Sequence, residues 1–223
     1  MIDTTSMNQA KTLAAQLQAQ AEAADRYIVA IAGPPGVGKS TLSTQLAQEL
    51  EGAIVLQADG YHFDNVLLDR MGMRDRKGAP DTFDVDGLDT TLKRLRCGQD
   101  VIVPMFDRAM DVARAGAEII TPKAKFVIVE GNYLALKHGP WSALRPHFDF
   151  IVFVSTSMEE LERRLIRRWT DLGQSIDQAR HWVASNDLPN AATVLRGSEP
   201  GHLVIHQNSE TMPRASYQGE FQP

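Results

Sequence analysis

Cysteine is almost missing from this 223-residue chain, where Cys97 stands alone. A single thiol cannot close an intramolecular disulfide, so nothing points to an oxidising compartment. A basic surplus is missing too. The chain has 23 Lys and Arg against 28 Asp and Glu, a formal net charge of −5. Non-specific nucleic-acid binding needs a cationic face that displaces counterions, so nucleic acid is not an expected partner. No apolar run approaches the roughly 18 residues that a membrane helix needs. The polar start Met1–Asn8 has no signal-peptide pattern either. The expected compartment is the cytoplasm, with no membrane partner. There is no internal repeat, and the one biased tract is the Ala/Gln-rich stretch Gln9–Ala24. What the chain does have, 43% hydrophobic residues, suffices for one substantial core.

Short apolar runs alternate with helical patterns. Leu13 and Leu17, four apart among alanines, predict an amphipathic helix within Gln9–Ala24. Tyr27–Ala32, Ala53–Gln57, Phe126–Glu130 and Phe150–Val154 are apolar runs of buried-strand length, and His202–Ile205 reads as a closing strand. Lys39–Leu50, Leu88–Arg96, Met158–Trp169 and Ile176–Asn186 carry helical spacing. Val101–Val103 reads as a strand that stops at Pro104, Met105–Thr121 as a loop or small hairpin, and the tail from Asn208 as frayed. Strands alternating with helices predict an α/β, three-layer fold with a mostly parallel sheet of about five strands. The expected division is a helical extension over residues 1–25 and one domain over residues 26–223, with no linker inside it.

Gly33-Pro34-Pro35-Gly36-Val37-Gly38-Lys39-Ser40 fits G-x-x-x-x-G-K-[ST] in full, and Thr41 follows it. A buried strand precedes it and an amphipathic helix follows. Glycines let backbone N–H groups turn inward around a phosphate, where a Cβ would obstruct them. The helix N-terminus adds partial positive charge, Lys39 can reach the β/γ-phosphates, and Ser40 can ligate Mg²⁺. The pattern predicts ATP and Mg²⁺ as the bound groups.

Such a loop serves kinases, ATPases and GTPases alike, so the second strand matters. Its end reads Gln57-Ala58-Asp59-Gly60-Tyr61-His62. Ligands of a doubly wound sheet bind beyond the carboxyl ends of the strands, so Asp59 should face the crevice that holds Lys39. There it can accept the proton of an attacking hydroxyl, or merely cap a turn with Gly60. Glu130 ends another buried strand, where an ionised carboxylate needs a cation or hydrogen bonds.

These residues resemble the uridine kinase, pantothenate kinase and phosphoribulokinase group over roughly residues 27–205. The likeness rests on the phosphate loop, Asp59-Gly60, Arg76-Lys77-Gly78-Ala79-Pro80-Asp81-Thr82-Phe83-Asp84, Pro104-Met105-Phe106-Asp107 and Glu130-Gly131. Asn186-Asp187-Leu188-Pro189-Asn190-Ala191 is similar to the fructose-transport-type subset. The resemblance implies a P-loop kinase with Asp59 as the carboxylate that activates the acceptor and Glu130 near the metal. It also implies a contact between Asp84 and ribose hydroxyls, in a sheet of five parallel strands. Where uridine kinases read the base with a Tyr and a His, this chain has Phe106 and Asp111, a departure that argues against a nucleoside.

Candidate acceptor ligands are Tyr61, His62, Arg76, Lys77, Asp84 and Arg108. Arg163, Arg164, Arg167 and Arg168 crowd one helix end, before the glycine-containing tip Thr170–Ser175. They form either a solvated face paired with Glu159, Glu160 and Glu162, or a lid around residues 160–188. A lid would bring Arg164 and Arg167 onto the transferring phosphoryl group. The expected function is transfer of the γ-phosphoryl group to a hydroxyl of a small metabolite, first a sugar such as fructose, then pantothenate-like compounds, then nucleosides. A regulatory NTPase is the alternative of another class, but no N-K-x-D guanine reader is present. A homodimer is left open.

Overall fold

The computed structural model describes residues 4–207 and 215–217, with side chains over residues 8–207. Chain order runs α1 (Thr4–Gln20), β1 (Tyr27–Ala32), α2 (Lys39–Glu49), β2 (Ala53–Gln57), α3 (Asn65–Met71) and α4 (Val85–Arg96). The hairpin β3 (Val101–Asp107) and β4 (Val112–Ile120) follows. Then come β5 (Phe126–Gly131), β6 (Phe150–Ser155), α5 (Met158–Asp171), α6 (Ile176–Trp182), a π-helical turn (Val183–Asp187), α7 (Leu188–Gly197), β7 (Leu203–His206) and β8 (Ala215–Tyr217). Among the described residues no helix is long and apolar enough to cross a membrane.

The main sheet has the order β2-β5-β1-β6-β7-β8. Its first five strands are parallel, and β8 adds antiparallel to β7. The expected five-stranded parallel sheet is therefore present. Of the tail from Asn208, Ala215–Tyr217 forms this edge strand; the rest lies outside the described residues, as do residues 1–3 of the N-terminal extension.

Register decides where the chemistry emerges. Ala32 pairs with Gly131, and Gln57 with Glu130. The loops after β1, β2 and β5 therefore leave the sheet at one end, which brings Gly33, Asp59 and Glu130 to a common rim.

Both faces of the sheet are covered. On one, Val29, Ile31, Ile128 and Val152 meet Leu13 and Leu17 of α1, Leu42 and Leu46 of α2, and Leu161 and Leu165 of α5. On the other, Ala30, Leu56, Val129 and Ile151 meet Leu88, Leu92 and Leu95 of α4, with Trp141 and Leu144. Each fully buried Leu contributes about 2–3 kcal/mol. Leu17, 0% exposed, makes α1 part of the same core as β1.

One expected alternative, the hairpin, is realised, and three stretches depart from expectation. Residues 105–121 form most of a hairpin standing apart as its own two-stranded sheet. The strand expected to stop at Pro104 continues to Asp107, because a register shift between Val103 and Met105 accommodates the proline's missing N–H. The helix expected over Ile176–Asn186 changes to π-helical bonding at Val183 and runs on as α7, with Pro189 in the first turn, where its missing donor costs little. The helix expected to start at Leu88 starts at Val85, because Asp84 caps it.

Candidate functional site

A cavity of about 690 Å³ lies at the rim, bounded by the phosphate loop, the hairpin tip and the helices from α5 onward. Pro35, Gly36, Gly38, Lys39, Ser40 and Thr41 line it. Gly33, Pro34 and Val37 stand behind that surface. A Cβ on Gly33 would sit 2.2 Å from the Val154 carbonyl oxygen, so only glycine lets the loop pass so close to β6. Gly38 has φ 98° directly before α2, a left-handed conformation that aims the helix N-terminus into the cavity.

Lys39 is 7% exposed. Its Nζ donates to the Pro34 carbonyl (2.9 Å) and to Asn132 Oδ1 (2.7 Å). Burial lowers its pKa to about 8, against the opposing pull of Glu130 and Asp59. Ser40 Oγ donates to Glu130 Oε1 at 3.0 Å. Burial raises the Glu130 pKa, the Asp59 charge adds to that, and Lys39 opposes it. An alcohol and a buried carboxylate side by side supply hard oxygen donors, which suit Mg²⁺ bound together with phosphates and water. No group of three or more His, Cys, Asp or Glu side chains fit to hold a metal occurs among the described residues.

Asp59 follows β2 and lines the cavity. Arg108 reaches it from the hairpin tip, with a guanidinium nitrogen 3.1 Å from Asp59 Oδ2. His62 Nδ1 is 2.7 Å from the Asp59 carbonyl. Its ring sits between Phe83 (3.9 Å) and Phe106 (4.9 Å), and burial lowers its pKa. Lys77 Nζ donates to Asp111 Oδ2 (2.8 Å) and Asn65 Oδ1 (2.7 Å) and stands 5.3 Å from the Phe106 ring centroid. The Phe106 and Asp111 that depart from the uridine-kinase pattern thus both hold Lys77.

Other candidates lie elsewhere. Tyr61 is buried and donates to Thr91 Oγ1 (2.7 Å). Asp84 Oδ1 accepts from the Gly87 N–H (2.9 Å) as the α4 cap. Arg76 is exposed and pairs with Asp81 at 3.7 Å. None of these three lines the cavity. In this structure they pack, cap and pair at the surface, apart from the cavity.

The arginines of α5 divide. Arg163 and Arg164 both bond Glu160 and hold its pKa near 2. Arg164 also reaches the Val37 carbonyl (3.3 Å) and Gln207 Oε1 (3.1 Å), tying α5 to the phosphate loop. Arg167, 75% exposed, pairs with Asp171 at 3.7 Å and does not line the main cavity. Arg168 is the one that lines it. Burial lowers its pKa, and the Arg108 charge lowers it further. Helical spacing carries this signal: Leu161, Leu165 and Arg168 fall at i, i+4 and i+7, on the inward stripe. Asn132, Trp169, Trp182 and Asp187 also line the cavity and had no sequence pattern assigning them a role.

A complete phosphate loop sharing one cavity with the carboxylate after β2 is the arrangement of a phosphotransferase of the P-loop kinase class. The match to the phosphoribulokinase/uridine kinase family model spans residues 28–209, and the chain belongs to that family. Its members are ATP-dependent phosphotransferases acting on hydroxyl groups. An uncharacterised Escherichia coli protein, YggC, is 37% identical, over 83% of this chain and 79% of that one. A Mycolicibacterium vanbaalenii pantothenate kinase is 27% identical, over 85% of this chain and 65% of that one. The crystal structure of a "putative fructose transport system kinase" from Silicibacter sp. TM1040 is similar at 40% identity and a TM-score of 0.81. It covers 86% of this chain and 98% of that one.

Proposed function

We propose that the protein transfers the γ-phosphoryl group of ATP to a hydroxyl of a small polyhydroxylated metabolite in the cytoplasm, a sugar such as fructose first. The observation that carries this is the shared cavity: Lys39 on the phosphate loop and Asp59 after β2 line the same 690 Å³. The name of the Silicibacter relative supports the sugar. A pantothenate-like acceptor is the second choice, supported by the mycobacterial relative.

In this proposal Gly36–Ser40 N–H groups and Lys39 cradle the β/γ-phosphates. Asp59 leaves its pairing with Arg108 and accepts the proton of the acceptor hydroxyl. Arg168 meets the transferring group as its charge spreads, while Arg164 anchors the lid helix to the loop. Ser40 and Glu130 would hold Mg²⁺, which when bound neutralises phosphate charge. Closure of residues 160–188 excludes water.

Asp59→Asn preserves shape and removes the base. ADP release with fructose as acceptor should fall about 10²–10⁴-fold, with ATP affinity unchanged. If turnover persists, or ATP binding falls equally, Asp59 is not the base. ATP consumption that no acceptor stimulates would favour a regulatory NTPase.

A further inference from the structure

The cavity wall opposite the phosphate loop has a chemistry of its own. Trp169 Nε1 donates to Asp187 Oδ2 at 2.6 Å, and the Trp182 ring stands edge-on to Trp169, 5.9 Å between centroids. Asp187 closes the π-helical turn, whose extra residue displaces it from a regular helical path. That turn is fixed from both sides. Asn186 Nδ2 donates to the Lys77 carbonyl (2.9 Å), and Asn190 Nδ2 to Asn186 Oδ1 (3.2 Å). Asp187 itself lacks a contacting cation, and its Oδ1 accepts no hydrogen bond among the described residues. Burial raises its pKa, against the opposing pull of the Trp169 hydrogen bond and the Arg168 charge. Asp187 Oδ1 is open to the cavity, where a ligand hydroxyl can supply a donor.

The cations of the cavity are mostly spent. Lys77 is paired with Asp111 (2.8 Å), Arg108 with Asp59 (3.1 Å) and Arg74 with Asp69 (3.8 Å). Lys39 and Arg168 remain, and Arg168 lies close enough to depress the Lys39 pKa. Both are committed to ATP phosphates in the function proposed above. An anionic acceptor would meet the Asp187 charge, with Arg168 committed to the phosphates and Arg108 released only as Asp59 takes the hydroxyl proton.

We propose that Asp187 is a specificity-determining residue, whose unshared carboxylate oxygen takes hydroxyls of an uncharged polyol acceptor and repels anionic acceptors. This rests on the kinase reading, since it assigns the acceptor's place within that site.

Calorimetric titration separates the two. Wild type and Asp187→Asn, each loaded with Mg²⁺ and a non-hydrolysable ATP analogue, are titrated with two uncharged acceptors, D-fructose and uridine. Pantothenate and ribulose 5-phosphate form the anionic pair. Asn keeps an oxygen for Trp169, so the melting temperature and ATP-analogue affinity should hold. Wild type should bind an uncharged compound more tightly than either anion. Asp187→Asn should weaken that binding about 10- to 100-fold, the loss of one or two charge-assisted hydrogen bonds. The same variant should bind the anions better than wild type does. Tighter wild-type binding of an anion, no binding of either uncharged compound, or unchanged discrimination in Asp187→Asn would each overturn the proposal. An uncharged compound that binds in this way without ADP release from ATP would instead refute the kinase reading and leave the subsite standing.

Discussion

Lys39 carries a charge into a buried position, and the cost should be measurable without any substrate. Burial depresses its pKa from 10.5 to about 8. Between those values the unfolded chain holds a proton that the folded chain has released. Stability rises with pH wherever the unfolded state binds more protons, so the penalty is fully present below pH 8 and relieved as pH climbs toward 10.5. The whole gap corresponds to about 3 kcal/mol, at about 1.36 kcal/mol for each tenfold change in proton concentration. Lys39→Met removes this titration and raises the pKa of Glu130 further, a carboxyl with an ordinary value of 4.5. Wild-type minus variant unfolding free energy should therefore become more positive by about 2 kcal/mol between about pH 7.5 and 9.5. Urea unfolding followed by tryptophan fluorescence at several pH values gives that difference directly. The absolute offset at any one pH is less informative, because the variant also strands the Pro34 carbonyl and Asn132 Oδ1 that Lys39 now satisfies. A difference that stays flat across the window would refute the account of Lys39 as a desolvated charge. Phosphoryl transfer should be lost in the same variant, because the β/γ-phosphates lose their nearest cation.

Arg168→Ala should lower kcat about 10²-fold, the scale of one preorganised donor, whereas Arg167→Ala should leave kcat unchanged and shift stability by about 0.5 kcal/mol at most. Steady-state kinetics on the pair decides which guanidinium serves the reaction, and equal effects would overturn the assignment by helix face. Leu17→Ala should destabilise the protein by about 2–5 kcal/mol in urea unfolding, because Leu17 is 0% exposed in the core shared with β1. A change below about 1 kcal/mol would mean that α1 is a dispensable appendage.

Much of the fold is written in local pattern. Val29, Ile31, Ile128 and Val152 lie in strands buried on both faces, so their segments are continuous apolar runs that no other element imitates at that length. The phosphate loop is legible for a related reason, since its parts are covalent neighbours and spacing alone fixes their geometry. The hairpin is harder to see because β4 is mostly exposed and its Val-Ala-Arg-Ala-Gly-Ala start has no alternation to mark a face. The acceptor wall depends on distant partners. Asp187 meets Trp169 across 18 positions, and Asn186 meets Lys77 across 109. A polar residue before a helix reads equally as a ligand or a cap, and Asp84 proved to be a cap once its bond to Gly87 was located. For the arginines, sequence showed the concentration of charge. Which one faces inward follows from Leu161 and Leu165, the residues that anchor α5 to the sheet.

The π-helical turn sets the helical phase of one cavity wall. Its single surplus residue lies between α6 and α7, in a turn whose Val183 is buried in the core shared with β1 and β6. Deleting one residue there would restore ordinary helical bonding and rotate one flank by about 100° relative to the other, one residue's share of a 3.6-residue turn. Asn186 and Asp187 would swing off the cavity wall while Lys39, Ser40, Asp59 and Glu130 kept their places. The far wall of the cavity and its phosphate side are thus set by different parts of the chain, one by helical phase and the other by the ends of β1, β2 and β5.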